Sequence, residues 1–152
     1  PAEVISVSVR PHGSTTANQW ITTHNGSPDI VAPYPAQGRE PDKQWIAIDT
    51  NPGSPFLGRI YAMWVVFTGP FTPHPFVAIA HANPDGTHSD WSAPISLPEV
   101  GGTPQGSTYL LPHITPDGTL GTVHIASASN ANISISSSAS PVASSCPMVP
   151  IT

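Results

Sequence analysis

Apolar residues along the chain recur in short runs whose spacing is typical of β-strands. Residues 4–9 (VISVSV) alternate β-branched with polar side chains, as expected of a strand with one buried face. Residues 59–67 (RIYAMWVVF) and 76–82 (FVAIAHA) are apolar at nearly every position, which indicates strands covered on both faces. Turn pairs such as Asn25-Gly26 separate these runs. The pattern predicts an all-β protein without long helices.

The middle of the chain predicts one antiparallel meander. Its strands are expected at 45–49, 59–67, 76–82 and 91–97, and Pro94 suits an edge position. Elsewhere the pattern is weaker, with expected strands at 19–24, 30–31, 109–114, 120–126 and 133–136.

The meander and the strands after it restart at a spacing of about 50 residues, which is the period of a propeller blade. We therefore expect antiparallel four-stranded blades of a partial β-propeller, with a β-sandwich as the alternative. This expectation divides the chain into an N-terminal piece (1–39), one blade (40–97), an incomplete next blade (98–136) and a Ser/Pro-rich tail (137–152).

The composition narrows the classes of function. Only 9% of residues are charged and the net charge is −5, so no basic patch for nucleic acid can form. No apolar run reaches the roughly 18 residues of a membrane span. Cys146 is the only cysteine, which rules out an internal disulfide. The scarcity of Lys and Glu and the richness in Ser and Thr favour a secreted or cell-surface protein, although the sequence itself contains no signal peptide.

Residues 83–94 (NPDGTHSDWSAP) resemble the Asp-box of sialidase-like propellers, a Ser-x-Asp-x-Gly-x-Thr-Trp hairpin often followed by Ser-x-Pro. In such a turn an Asp carboxylate accepts main-chain N–H groups, a Gly adopts an unusual backbone angle and a Trp covers the hairpin base. The matching residues are Asp85, Gly86 and Trp91. The spacing from Asp85 to Trp91 is one residue longer than in the family, and the role of the box is structural.

A longer stretch, about residues 40–125, is similar to blades of bacterial sialidase-like repeat proteins. Residues 42–55 (DKQWIAIDTNPGSP) and 58–64 (GRIYAMW) resemble the first two strands of such a blade, and 105–107 with 111–119 resemble the start of the next. The resemblance implies a propeller that closes with six blades, so the chain is expected to be a fragment or to rely on partners. It implies little about activity.

Sialidases of this fold use three arginines for the substrate carboxylate, a Tyr nucleophile with a Glu, and an Asp acid/base. This chain has only Arg10, Arg39 and Arg59, and Arg59 stands in Gly-Arg-Ile-Tyr rather than Arg-Ile-Pro. We assign no catalytic residue. The expected function is a non-catalytic propeller segment that recognises glycan or protein through loops. The alternatives are part of an exo-glycosidase whose catalytic residues lie outside this chain, and a structural repeat unit.

Strand order determines which loops share a face of a blade. The loops before the first strand, between the second and third, and after the fourth are expected to form the binding face. The candidate ligand-binding residues there are Arg39, Glu40, Asp42, Lys43, Phe71, His74, Glu99 and Gln105. The odd spacing of His74, His81 and His88 places strand neighbours on opposite faces, so we expect no metal site and no cofactor.

Overall fold

A computed structural model describes residues 3–35, 38–68, 73–97, 107–126, 133–138 and 149–150, the last two ranges as main chain only. Within them the chain is all-β, and the one helical element is a 3-10 turn at Ala17–Gln19. The strands are β1 (Glu3–Ser6), β2 (Thr23–His24), β3 (Ser27–Pro28), β4 (Ile30–Tyr34), β5 (Glu40–Ile48), β6 (Arg59–Phe67), β7 (Pro73–His81), β8 (Ile95–Ser96), β9 (Ser107–Ile114), β10 (Leu120–Ala126), β11 (Ile133–Ser138) and β12 (Val149–Pro150).

The central sheet is the expected meander, with strand order β5-β6-β7-β8 and antiparallel pairing throughout. Three bounds differ from expectation by more than one residue, and one of them is the start of β7, at Pro73 rather than 76. β5 begins at Glu40 rather than 45, because a bulge lets the charged residues before Trp45 pair with β6; Lys43 has a φ of 58° there. β8 is limited to Ile95–Ser96, just after Pro94, which lacks a main-chain donor.

Further sheets are formed by residues before and after the meander. β9 to β12 form a second four-stranded antiparallel sheet, and its last strand lies in the Ser/Pro-rich tail, where Val149 pairs with Ile135. Upstream, β1 pairs with β4, and β2 pairs with β3. Asn25 and Gly26 join β2 to β3 with φ of 50° and 78°, the positive angles required by a type I′ hairpin turn.

The core of the described residues forms three layers. One face of the central sheet, with Trp64 and Ala78, packs against Ile5 and Ala32 of the N-terminal strands. The opposite face, which includes Met63, packs against the second sheet. β6 is buried at seven of its nine positions as a result. The apolar run that predicted a strand covered on both faces is thereby explained.

A buried hydrogen bond joins the first two layers. The indole Nε1 of Trp64 donates to the hydroxyl of Tyr34 at 2.6 Å. A buried polar group without a partner costs about 1–3 kcal/mol, so this bond lets both rings lie in the apolar core. Burial raises the pKa of Tyr34, while the Trp64 bond and Arg39 act against that shift.

Antiparallel order gives the central sheet two distinct ends. The β5–β6 loop and the β7–β8 turn lie at one end, named here the turn end. Glu40 pairs with Phe67 and Phe67 with Pro73, so the start of β5 and the β6–β7 connection lie at the other, the loop end. The nine residues of β5 separate the two ends by about 30 Å.

Candidate functional site

A small polar pocket lies where the Asp-box-like turn meets the N-terminal strands, at the turn end of the sheet. Its volume is about 240 Å³. Hydrogen-bonding side chains dominate its wall, which consists of Val9, Ile21, Thr23, His24, Asn25, Asp29, Asn83, Thr87 and His88. A pocket of this size and polarity suits a small polyhydroxylated group rather than an extended apolar ligand.

The inner wall of the pocket is a buried ion pair between His88 and Asp29. The His88 Nε2 lies 2.7 Å from Asp29 Oδ2, and both side chains are almost fully buried, at 4% and 2% exposure. The other ring nitrogen, Nδ1, lies 2.7 Å from the Ser89 carbonyl oxygen. Both ring nitrogens of this buried side chain therefore lie within hydrogen-bonding distance of an oxygen.

A second histidine stacks on the first at the mouth of the pocket. The His24 and His88 rings lie 4.7 Å apart with an interplanar angle of 6°. The His24 Nε2 lies 2.6 Å from the exposed Asp90 carboxylate, which also accepts from Asn25 Nδ2 at 3.2 Å. The four groups therefore lie in the order Asp90, His24, His88 and Asp29 across the joint, with the two imidazoles stacked in the middle and a carboxylate at each end.

The Asp-box-like turn shapes the remaining wall. The Asp85 carboxylate accepts from the Thr87 main-chain N–H at 2.9 Å and hydroxyl at 2.6 Å, and these bonds, the hydroxyl one first, lower the pKa of Asp85. Gly86 has a φ of 85°. Trp91 does not simply cover its own hairpin: its Nε1 donates to Asp29 at 3.2 Å, and its ring tilts onto His88.

The same turn occurs again in the second sheet, at 115–119. There the hydroxyl of Thr115 and the N–H of Thr119 donate to Asp117, which lowers the pKa of that carboxyl. Gly118 has a φ of 84°, close to that of Gly86. The two Pro-Asp-Gly-Thr segments thus form one local structure, placed after β7 in one sheet and after β9 in the other.

The buried carboxylate of Asp49 fastens the β5–β6 loop to this second turn. Asp49 is 1% exposed and accepts from Ser54 Oγ at 2.5 Å and from the Asn51 N–H at 3.0 Å. Asn51 Nδ2 in turn donates to the Thr115 carbonyl oxygen at 3.1 Å. This network joins two sheets, and three donors from Asn51 and Ser54 bind the buried carboxylate, so the role of Asp49 is to hold the turn end together.

Those residues expected to bind ligand that the structure describes are at the loop end, but several are not in loops. Glu40, Asp42 and Lys43 lie within β5, and His74 lies within β7, because both strands start earlier than predicted. Lys43 Nζ lies 2.7 Å from Asp42, which lowers the pKa of Asp42, and His74 Nε2 lies 3.1 Å from Thr68 Oγ1.

Other loop-end candidates are exposed or not described. Arg39 is exposed just before β5. Phe71, Glu99 and Gln105 lie outside the described residues. Among the residues that the structure describes, the loop end therefore offers dispersed polar groups, whereas the turn end has a formed pocket.

The three arginines do not converge on one site. Arg10 donates to the Ser14 carbonyl oxygen at 2.7 Å, and Arg59 lies 4.1 Å above the Phe56 ring at the turn end. Arg39 lies at the loop end, about 30 Å away along β5. A carboxylate clamp needs such side chains to meet at one point. The pocket itself offers hydrogen bonding and a charge pair rather than a nucleophile.

His24, Asp29 and Asp90 were not among the predicted site residues, and His88 was weighed only as a metal ligand. They are separated by up to 66 positions in sequence and follow no motif, so only the fold brings them together. The sequence indicates a special role only weakly, and only for Asp29, which is a charged residue directly before an apolar strand. Among the described residues no group of three His, Cys, Asp or Glu side chains is arranged to hold a metal ion.

Comparisons with known proteins returned nothing. No family model, no curated protein and no solved structure matches the chain. Among the described residues, no helix is both long and apolar enough to cross a membrane.

Proposed function

We propose that the chain forms adjoining blades of a sialidase-like β-propeller and acts as a non-catalytic segment that recognises carbohydrate. The fold part rests on the central sheet being covered on both faces. A two-layer sandwich leaves each sheet one face toward water. Blades stack in series, so an inner blade has neighbours on both sides. Three layers, with β6 buried in the middle, favour blades.

The position of β9 adds to this support. β9 lies against β5, and also reaches β6 and β7, so the first strands of the two four-stranded sheets adjoin. Consecutive blades place their first strands together around a central axis. The repeated turn at 83–87 and 115–119 lies at the same end of both sheets, as expected of blades in series.

The recognition part rests on the polar pocket at the turn end. Asn25, Asn83 and Thr87 present amide and hydroxyl groups at its wall, and the stacked His24 ring borders it. Amides and acids pair with sugar hydroxyl groups, and the face of a flat ring covers the apolar face of a sugar. The volume of about 240 Å³ fits a single sugar unit.

Glycan-array screening of the chain, followed by calorimetry on any hit, tests this proposal. Asn25→Gly keeps the positive φ of the hairpin turn and removes the amide, and Asn83→Ala removes the second amide. Each is expected to weaken binding about tenfold, the effect of losing one good hydrogen bond with an unsatisfied partner. Asn18→Ala, an exposed asparagine away from the pocket, is the matched control and should bind as the wild type does.

The same experiment separates the two ends of the sheet. If alanine at Arg39, Phe71 and His74 weakens binding while the pocket variants do not, the site is at the loop end, where the sequence placed it. Gly53→Ala is the turn-end control for that comparison, because Gly53 is exposed and a Cβ there meets nothing within 4 Å. Asn51 and Ser54 are unsuitable controls, since both hold Asp49.

A structural repeat unit is the second candidate function. It is favoured by the mutual pairing of the charged side chains of the pocket, His88 with Asp29 and His24 with Asp90. No glycan hit, combined with loss of folding on breaking the His88–Asp29 pair, would favour this role.

A further inference from the structure

The polar pocket at the turn end has an apolar part as well as its polar part. Val9 and Ile21 exchange two main-chain hydrogen bonds at 2.9 Å, so their side chains lie on the same face, and both line the pocket. Asn25, Asn83 and Thr87 supply the polar part. A sugar ring has the same division, because its C–H groups form an apolar face and its hydroxyl groups lie around the rim.

The hydrogen-bonding capacity left in the polar part suits a hydroxyl group. Asn25 Nδ2 donates to Asp90 at 3.2 Å, and Asn83 Nδ2 donates to Thr87 Oγ1 at 3.0 Å. Each of these two amides thereby keeps a second N–H donor and its oxygen acceptor without a partner among the described residues. A hydroxyl group both donates and accepts, whereas a carboxylate only accepts.

No Lys or Arg side chain lines the pocket, and the chain has only four such residues in all. Arg39 and Lys43 are at the loop end, about 30 Å away along β5. Arg10 donates to a main-chain carbonyl oxygen at 2.7 Å, and Arg59 lies 4.1 Å above the Phe56 ring. A ligand with a carboxylate therefore finds no guanidinium or ammonium group in this pocket.

Carboxyl groups, in contrast, lie on several sides of the pocket. Asp29 is part of its wall, and Asp90 bonds to two of the lining residues. The Asp-box-like turn adds Asp85, whose pKa is lowered by the hydrogen bonds described above, so this carboxyl is ionised at neutral pH. Among the described residues the basic groups beside these three acids are the imidazoles of His24 and His88, so the acids outnumber them.

Asp90 places an exposed negative charge at the mouth of the pocket. Its side chain is 83% exposed, and its Oδ1 lies 2.6 Å from His24 Nε2 and 3.2 Å from Asn25 Nδ2. Its Oδ2 has no partner among the described residues. Two like charges about 4 Å apart repel each other by an amount that corresponds to about a fivefold loss of affinity even in bulk water.

We propose that the pocket binds an uncharged sugar ring and discriminates against sugars that carry a carboxylate, with Asp90 as the residue that repels them. This inference rests on the proposed carbohydrate recognition and specifies its ligand class. The C–H groups of the ring pack on Val9 and Ile21, and its hydroxyl groups exchange hydrogen bonds with Asn25 and Asn83. Such selectivity is opposite to that of a sialidase site, which binds the substrate carboxylate through arginines.

The test compares sugars that differ only at C6. The methyl glycosides of glucose, galactose and mannose are each paired with the corresponding uronate, in which a carboxylate replaces the CH₂OH group. The full chain is titrated with each sugar at neutral pH and low salt, and binding is followed by calorimetry and saturation-transfer NMR. We expect a neutral glycoside to bind about tenfold more tightly than its uronate, and added salt to reduce that ratio because it screens the charges.

Two variants assign the discrimination to Asp90. Asp90→Asn keeps an Oδ1 acceptor for His24 and Asn25 and removes the charge. Affinity for the uronate should rise about fivefold. Affinity for the neutral sugar should hardly change, which also shows that the variant is folded. Glu3→Gln removes the same charge from an exposed position six residues before Val9, about 20 Å away in an extended chain, and should leave the ratio unchanged.

Three results would overturn the proposal, and they differ in what they leave standing. Equal or tighter binding of a uronate overturns the ligand class but leaves carbohydrate recognition intact. A ratio that Glu3→Gln lowers as much as Asp90→Asn does, or that salt leaves unchanged, overturns the role of Asp90. Failure of all six sugars to bind overturns this inference together with the proposed recognition.

Discussion

The Nε2 of His88 lies 2.7 Å from the Oδ2 of Asp29, and the two residues are 59 positions apart in the chain. The contact joins the Asp-box-like turn to the residue directly before β4, the strand that precedes the central sheet. Trp91 donates to the same carboxylate at 3.2 Å. A single buried acid therefore holds both the turn and the tryptophan that resemble the family motif, which makes that motif a joint between sheets.

Removing either partner of this pair is expected to destabilise the fold strongly. A buried charge left without its partner costs about 3–5 kcal/mol. We expect His88→Gln and Asp29→Asn each to lower the free energy of unfolding in urea by about 3 kcal/mol or more. His12→Gln, at an exposed histidine, should change it by less than about 0.5 kcal/mol. Equal small effects at both histidines would contradict a structural role for the pair.

Two glycines in the same turn should respond differently to alanine. Gly86 and Gly118 have φ of 85° and 84°, so alanine costs about 1–2 kcal/mol at either from backbone strain. A Cβ at Gly86 meets nothing within 4 Å, whereas at Gly118 it meets Ser54, Phe56 and Asp49.

Gly118→Ala is therefore expected to lose a further 1–3 kcal/mol or so from overpacking. Thermal and urea unfolding of the two variants measure the difference directly. Equal losses would mean that the β5–β6 loop does not pack on the second sheet.

The strands that were predictable from the sequence are those with strong local patterns. β6 and β10 match their expected ranges because each is an apolar run bounded by turn residues, and Asn25-Gly26 forms the expected hairpin turn. The start of β5 was missed because a bulge at Lys43 interrupts the two-residue periodicity.

The polar pocket could not be predicted for a different reason. Its parts, such as His24 and Asp29, come from separate segments and look like ordinary surface residues in sequence. Contacts between residues so far apart in the sequence depend on how one sheet packs on another. The local pattern of apolar and polar residues does not predict that packing.

Tyr34→Phe should destabilise the core although it removes only one oxygen. The change leaves the indole N–H of fully buried Trp64 without its acceptor. An unsatisfied buried donor costs about 1–3 kcal/mol. Chemical denaturation measures the loss. Tyr61→Phe is the comparison, since the buried Tyr61 hydroxyl bonds to the partly exposed Arg59 and not to Trp64, so its loss should cost less. A larger loss at Tyr61 would argue against the Trp64 bond as the cause.

The chain alone is expected not to hydrolyse a fluorogenic sialoside. Arg39 and Arg59 lie at opposite ends of the central sheet, so they cannot clamp one carboxylate, and Arg10 is engaged with Ser14. Release of the fluorophore is the measurement. Turnover that disappears on replacing Arg10, Arg39 or Arg59 by alanine would overturn this expectation and place an active site within the chain.

Acid should weaken the joint between the central and second sheets through Asp49. The Ser54 hydroxyl, followed by the two Asn51 donors, lowers the pKa of Asp49 below the ordinary value of 3.8, and burial only partly opposes this. A carboxyl with a lowered folded pKa binds its proton more readily when unfolded. Its contribution to stability is therefore complete above the ordinary pKa and is lost as the pH falls through the folded value.

The free energy of unfolding is thus expected to fall as the pH is lowered toward and below 3.8, and Asp49→Asn should show a shallower dependence because it removes one of the titrating groups. Some slope must remain, since hydrogen bonds from Thr87 and Thr115 also lower the pKa values of Asp85 and Asp117. Urea unfolding at a series of pH values provides the comparison. An Asp49→Asn variant that keeps the full wild-type slope would show that this carboxyl does not carry the acid sensitivity of the fold.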